Sequence, residues 1–232
     1  MSKLIQISDC HIDDQAITMG IDSQANLIQV VNQINNHVFD ALLISGDLTH
    51  NGTLGAYNRL KDILSPINTP IYVIGGNHDD STHLNQVFEK NIFNSFQLGS
   101  WDIVSINSVQ LNKTSGWVTD EALLKLDQTL EYSNSNYIMV VLHHPIVPMN
   151  SSWNDKLSLE NPQDLFKILN KHSKIRAVVF GHAHESASFS HQKFDIISCP
   201  STALQFTQEM RIGFNEFHLN DDGSISWQTQ WI

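Results

Sequence analysis

Five short segments of the 232-residue chain follow apolar runs and end in Asp, Asn or His. They are Asp9-Cys10-His11, Gly46-Asp47, Gly76-Asn77-His78-Asp79, His143, and Gly181-His182-Ala183-His184. Carboxylates and imidazoles are ligands for divalent cations. Two such ions, sitting roughly 3.5–4 Å apart, can clamp the attacking and leaving oxygens of a displacement at phosphorus. A pair of ions needs a bridging anion, and one carboxylate such as Asp47 can span it. Asp9 and His11 are two positions apart, so on an extended segment they face the same side. His182 and His184 share that spacing. Glycines 46, 76 and 181 let the backbone turn tightly where these groups must converge.

The elements around these segments explain how they could meet. The runs Leu4–Ile7, Ala41–Ile44, Ile71–Ile74, Asp102–Ile106, Tyr137–Leu142 and Ala177–Phe180 read as strands. Helical periodicity separates them: from Asp22 or Ser23 to about His37, Leu54 to Leu64, Thr119 or Asp120 to about Tyr132, and Pro162 to about Lys171. A helix also begins near Asp80 or Ser81. Three late runs, Phe194–Ser198, Phe214–Leu219 and Ile225–Trp231, look antiparallel, and Asp222-Gly223 is a good hairpin turn. The pattern is α/β, with a mixed sheet or two packed sheets covered by helices. Ligands of parallel sheets bind at the carboxyl ends of the strands, where the five segments fall. No repeat or linker divides the chain, so residues 1–232 read as a single domain. The longest loop, Ile146 to Glu160, has a length common in functional loops.

Composition narrows the function. Twelve histidines accompany thirteen Lys plus Arg, an excess that favours metal or acid–base chemistry. The net charge of −11 makes nucleic acid an unsuitable partner, while bound cations would still admit a small anion. Two cysteines, Cys10 and Cys199, form no disulfide framework. No signal-like or membrane-length apolar segment is evident, so a cytoplasmic location with no membrane partner is expected. The sequence leaves the oligomeric state open.

The order Asp-x-His, Gly-Asp, Gly-Asn-His-Asp, His, Gly-His-x-His resembles the calcineurin-like metallophosphoesterase superfamily. The resemblance implies a four-layer α/β/β/α sandwich. It also implies one metal held by Asp9, His11, Asp47 and His184, and a second by Asp47, Asn77, His143 and His182. Gly46-Asp47-Leu48-Thr49, Asn107-Ser108, Gly116-Trp117, His143-His144-Pro145, Trp153-x-Asp155, Leu159-x-Asn161 and Pro200-Ser201 with Gln205-Phe206 are similar to bacterial class III cyclic nucleotide phosphodiesterases, those for cyclic AMP included. Asn107, where Asp is commoner, and Ala203 depart from that pattern without touching a candidate ligand.

The implied reaction is hydrolysis of 3′,5′-cyclic AMP to 5′-AMP by a metal-bridging hydroxide, with Asp47, Asn77 and His78 as catalytic groups. His78 would stabilise charge on the phosphoryl oxygens or protonate the leaving oxygen. Asp9 and Asp47 contribute −2 and two divalent ions +4, so a bridging hydroxide leaves about +1, which suits a singly charged diester. Mixed nitrogen and oxygen donors admit Mn, Fe, Zn or Co; the resemblance favours Mn or Fe. The alternatives are another phosphodiester, such as a glycerophosphodiester or a nucleotide-containing one, and a non-catalytic scaffold on the same fold. Around the core set, Asp79 either orients His78 or caps the following helix. His144 supports rather than ligates, and Cys10 is a small buried residue. His50 is close enough to Asp47 to matter. Trp153, Asn161 and Phe206 either line a substrate pocket or pack the long loop.

Overall fold

The computed structural model describes residues 1–232. Eleven strands form two sheets. The first sheet takes β1 (Ser2–Ile7), β2 (Ala41–Ser45), β3 (Ile71–Ile74), β10 (Gly213–Leu219) and β11 (Ile225–Trp231), in the order β11-β10-β1-β2-β3. The second takes β4 (Ser95–Leu98), β5 (Trp101–Ser105), β6 (Tyr137–Val141), β7 (Ile175–Phe180), β8 (Ala187–Ser190) and β9 (Asp195–Ser198), in the order β4-β5-β6-β7-β9-β8. Strands β1, β2 and β3 are parallel, as are β5, β6, β7 and β9. Their carboxyl ends therefore lie along one edge of each sheet.

The apolar runs split by alternation between two layers. In β2, Leu42 and Ile44 face α1 (Ser23–Ile34), α2 (Leu54–Leu64) and α3 (Ser81–Phe88), while Ala41 and Leu43 face the other sheet. In β6, Ile138 and Val140 face α4 (Asp120–Tyr132) and α6 (Pro162–Leu169), while Met139 and Val141 face inward. Trp101, Ile103, Val179 and Phe217 complete the layer between the sheets. Central strands buried on both faces read as unbroken apolar runs for this reason. The result is the expected α/β/β/α sandwich.

Helices α1, α3 and α4 start at side-chain caps. Asp22 accepts from the N–H of Ala25, Thr119 from that of Ala122, and Asp80 from that of His83. Each satisfies a donor that the first helical turn leaves open. Two ends differ from the periodicity: α1 stops at Ile34 and α6 at Leu169, each two or three residues early. A four-residue helix, α5 (Asn154–Leu157), interrupts the long loop. No helix is long and apolar enough to cross a membrane.

Candidate metal centre

The backbone beyond β1 and β2 stays paired after the strands end. The N–H of Asp9 donates to the carbonyl of Gly46, and that of His11 to the carbonyl of Asp47, each at 3.0 Å. The segments are not extended there. Asp9, His11, Asp47, His182 and His184 all have positive φ, between 46° and 64°. The convergence of Asp9 with His11, and of His182 with His184, therefore comes from left-handed turns and not from strand alternation. Asp and His tolerate this region better than most residues, though it costs about 1–2 kcal/mol each. Gly46 and Gly76 serve close approach: a Cβ on Gly46 would overlap the His143 ring, and one on Gly76 would overlap Asp47.

All seven expected metal-site residues gather at one place, in two groups. In the first, Nε2 of His11 and Nε2 of His184 are 3.0 Å apart. Asp9 Oδ1 lies 3.4 Å from Nε2 of His184, and Asp47 Oδ2 lies 3.7 Å from Nε2 of His11. In the second, Nε2 of His143 lies 3.2 Å from Asn77 Oδ1, 3.3 Å from His182 Nδ1 and 3.4 Å from Asp47 Oδ1. The two carboxylate oxygens of Asp47 thus face different groups. Each group also draws on both sheets, with Asp9, His11, Asp47 and Asn77 following strands of one and His143, His182 and His184 following strands of the other.

The hydrogen bonds behind these rings decide their tautomers. Nδ1–H of His143 donates to the carbonyl of Ser45 at 2.9 Å, and Nδ1–H of His184 to the carbonyl of Leu204 at 2.7 Å. A carbonyl can only accept, so Nε2 of each neutral ring is a bare lone pair aimed into its group. Backing of this kind orients metal-bound histidines. Asp9 and Asp47 are almost fully buried, and histidines are the only cationic side chains within 4 Å of them. Burial alone would raise both carboxyls. The facing histidines win, holding Asp9 at about 2 and Asp47 well below the carboxylate range. Burial lowers His11 to about 3 and His182 to about 4. At His143 burial is overridden by Asp47, which pushes the imidazole up to about 9. Buried carboxylates with negative charge in excess, the bare nitrogen of His184 and a His143 proton that a cation would displace fit divalent metals.

A family model described as calcineurin-like phosphoesterase matches residues 2–186. The chain belongs to that family. A curated relative from Ruthia magnifica, named a probable cyclic nucleotide phosphodiesterase, is 55% identical over 230 residues, 99% of this chain and 98% of its own. A 3′,5′-cyclic adenosine monophosphate phosphodiesterase, CpdA of Haemophilus influenzae, is 29% identical over 246 residues, 99% of this chain and 90% of its own. Among solved structures, a dimetal phosphatase from Danio rerio superimposes with a TM-score of 0.77 at 15% identity, covering 99% of this chain and 96% of that one. This last likeness speaks for the fold alone. Membership of the calcineurin-like family and the buried His/Asp groups together imply a dimetal site.

Several residues around the calcineurin-like centre have placements the sequence left open. Asp79 neither orients His78 nor caps α3. Its carboxylate accepts from the N–H groups of Leu48, Thr49 and Gly76 and from the hydroxyls of Thr49 and Tyr57. It ties the loop after β2 to the loop after β3. Burial, then the charge of Asp47, push its carboxyl up to about 6 despite those donors. The cap of α3 is Asp80. His78 donates Nδ1–H to the carbonyl of His50 at 2.8 Å, which leaves its Nε2 free. The His50 ring stacks on His78 and places Nδ1 3.5 Å from Nδ1 of His11. Only its nearness to Asp47 in sequence pointed to His50. His144 accepts from the Ser108 hydroxyl and donates to the Thr114 carbonyl, so both its nitrogens are used in support. The thiol of Cys10 is buried and pushed up to about 12 by that burial, so it is inert. Asn161 packs the loop, bonding both backbone groups of Val118. Trp153 and Phe206 reach the rim of the centre on the His184 side. On the opposite side, a cleft of about 1140 Å³ opens from Asn77 between α3 and α4.

Proposed function

We propose that this protein is a dimetal phosphodiesterase that hydrolyses 3′,5′-cyclic AMP to 5′-AMP. The observation that carries the reading is full-length similarity to a probable cyclic nucleotide phosphodiesterase, joined to two donor groups that share Asp47. Asp9, His11, Asp47 and His184 would hold one cation, and Asp47, Asn77, His143 and His182 the other. Bound there, two divalent cations would supply a water-derived nucleophile at neutral pH and Lewis-acid stabilisation of phosphoryl oxygens. The mixed nitrogen and oxygen set admits Mn, Fe, Zn or Co without choosing among them, and the family resemblance favours Mn or Fe.

The chain's own groups complete the reaction. Asp47 is oriented by the His78 N–H, which donates to its Oδ1 at 2.9 Å. Water adds to phosphorus, the bond to O3′ breaks, and O3′ must gain a proton. A doubly protonated His78 can give it from Nε2 while its Nδ1–H stays on the His50 carbonyl, and the proton shed by the added water restores the ring. Residues 1–232 act as one domain in this reading, since each donor group needs both sheets. Two free buried cysteines suit a cytoplasmic location.

The deciding experiment compares cyclic AMP with cyclic GMP, a 2′,3′-cyclic nucleotide, glycerophosphodiesters and an aryl phosphodiester, using Mn²⁺-loaded protein beside its His143→Ala variant. The highest kcat/KM on 3′,5′-cyclic AMP, lost in the variant, is expected. Turnover confined to glycerophosphodiesters would replace the cyclic nucleotide with that substrate. No turnover on any diester by metal-loaded protein would leave a scaffold.

A further inference from the structure

We propose that Trp153 and Phe206 form an aromatic seat for the purine base of the substrate. The inference rests on the cyclic-nucleotide reading of the adjacent centre. The Phe206 ring lies flat on His184, with centroids 3.9 Å apart and planes 9° apart. The Trp153 indole stands across Phe206 at 4.8 Å and 83°. The two rings make a corner that begins one ring-thickness from His184. Both keep much of their surface open, Trp153 at 54% and Phe206 at 41% exposure.

Two separate loops carry these rings, and each is anchored to the centre itself. The N–H of Phe206 donates to the carbonyl of His184 at 3.3 Å. The neighbouring Gln205 side chain bonds both backbone groups of Ser201, at 3.2 and 2.8 Å, and the Ser201 hydroxyl donates to the carbonyl of Asp9 at 2.8 Å. On the other loop, Nδ2 of Asn154 donates to the carbonyl of Ala183 at 3.3 Å, between His182 and His184. Asp155 accepts from the N–H of Met149 at 2.7 Å. Large exposed rings are therefore held in place by the turns that bear His182, His184 and Asp9. A loose hydrophobic contact would need no such anchoring.

A purine offers two flat π faces, and an aromatic surface beside a phosphate site is suited to stack on one. In a cyclic nucleotide only the furanose separates base from phosphorus, so a base at this corner leaves the phosphate at the cations. The cleft beyond Asn77 is a poorer seat. Asn85, Asn107, Gln110 and Lys125 line it, and its single aromatic ring, Phe93, is buried. Stacking tolerates any base, so the corner supplies affinity for the base and leaves the choice of adenine over guanine to other contacts.

The test has a kinetic and a spectroscopic arm. For Trp153→Ala, we expect KM for cyclic AMP to rise about tenfold or more with kcat little changed, and Trp153→Phe to restore most of it. The preference for cyclic AMP over base-free ribose 3′,5′-cyclic phosphate should fall by the same factor, which separates lost stacking from a damaged centre. In the second arm, 5′-AMP should quench tryptophan fluorescence, ribose 5-phosphate should not, and Trp153→Phe should remove the quench. An unchanged KM in both Trp153→Ala and Phe206→Ala, or equal quenching by the two phosphates, overturns the seat while leaving the hydrolytic reading intact. Absence of cyclic nucleotide turnover in the wild type removes the hydrolytic reading alone. The quench then decides the seat: present with 5′-AMP only, the seat stands; absent, it falls.

Discussion

Nε2 of His11 and Nε2 of His184 lie 3.0 Å apart across 173 positions of sequence. His184 presents a lone pair there, because its Nδ1–H is committed to Leu204. Two imidazoles and the carboxylates of Asp9 and Asp47 crowd one point with no resident cation from Lys or Arg. Removing metal should therefore weaken the fold. At a hundredfold excess over Kd, a bound ion contributes about 2.7 kcal/mol. For a chain of this size that corresponds to a Tm lowered by roughly 5–10 °C on chelation. A differential scanning calorimetry trace unchanged by chelator, on protein shown by elemental analysis to have lost its metal, would contradict the site.

Asp47 sends its two carboxylate oxygens to different groups, while Asp9 also lies close to His143. Asp47→Ala should reduce metal content below one ion per chain and lower kcat/KM by about a hundred- to a thousandfold or more. Elemental analysis and diester hydrolysis on the same preparation check this. Full metal content with wild-type rate would remove Asp47 from the centre.

Asp79 gathers five donors but faces no reacting group. Replacing it with Ala leaves the buried N–H groups of Leu48, Thr49 and Gly76 without their acceptor. Each unsatisfied group costs about 1–3 kcal/mol, so Asp79→Ala should lose about 3 kcal/mol or more in chemical denaturation. Tyr57→Phe removes one donor to Asp79 and the acceptor of the N–H of exposed Asp80, and should cost about 1–2 kcal/mol. A Tyr57→Phe loss as large as that of Asp79→Ala would show that the backbone donors carry little.

Gly76→Ala probes close approach. The new Cβ would overlap Asp47, so the loop after β3 or the carboxylate must shift. Overpacking of this kind costs about 1–3 kcal/mol. The expected signature is metal loss together with a lowered denaturation midpoint. A midpoint lowered with both metals retained would show that β3's loop yields and Asp47 stays.

Acid stability has a source remote from the centre. Glu216 faces His37 at 3.0 Å, His218 at 3.3 Å and Lys3 at 3.7 Å. Burial would raise its carboxyl, but His37, Lys3 and His218 together hold it below its usual range. A carboxyl depressed in the folded state stabilises above its unfolded pKa of about 4.3 and loses that contribution as pH falls through the folded value. At pH 5, Glu216→Gln should be less stable than wild type by about 1 kcal/mol. The gap should narrow as pH drops below about 4.3. Thermal melts across pH 3–6 check the direction, and a gap that widens toward acid would reverse the assignment.

The buried strands were legible because both their faces are apolar, as in Ala41–Ile44 and Ala177–Phe180. The edge strands β4 and β8 were not. Ser95–Leu98 and Ala187–Ser190 bury no residue fully, half-bury only alternate ones, and mix Ser and Gln with Phe, so they carry no apolar run. The helix α5 is a single turn inside an irregular loop, too short for periodicity. At the site, the residue types and order were legible, and the backbone was not. Spacing suggested extended segments at Asp9-x-His11 and His182-x-His184, yet all four residues are left-handed. The carbonyls of Ser45, Leu204 and His50 that set the imidazole tautomers leave no mark on sequence, because any residue supplies a carbonyl. Asp79 was misread for a related reason: its partners are backbone N–H groups brought from the end of β2.

Each donor group draws side chains from both sheets, so a loaded centre is a rivet through the sandwich. Sliding one sheet past the other would pull His143, His182 and His184 away from Asp9, Asp47 and Asn77, and would open both groups at once. Strand amides of residues whose side chains fill the layer between the sheets, such as Leu43, Val141 and Val179, should then exchange on the timescale of metal release. Opening of the loaded sandwich and release of its metals become one event, whereas the metal-free chain keeps its fold with a weaker clasp between its two halves.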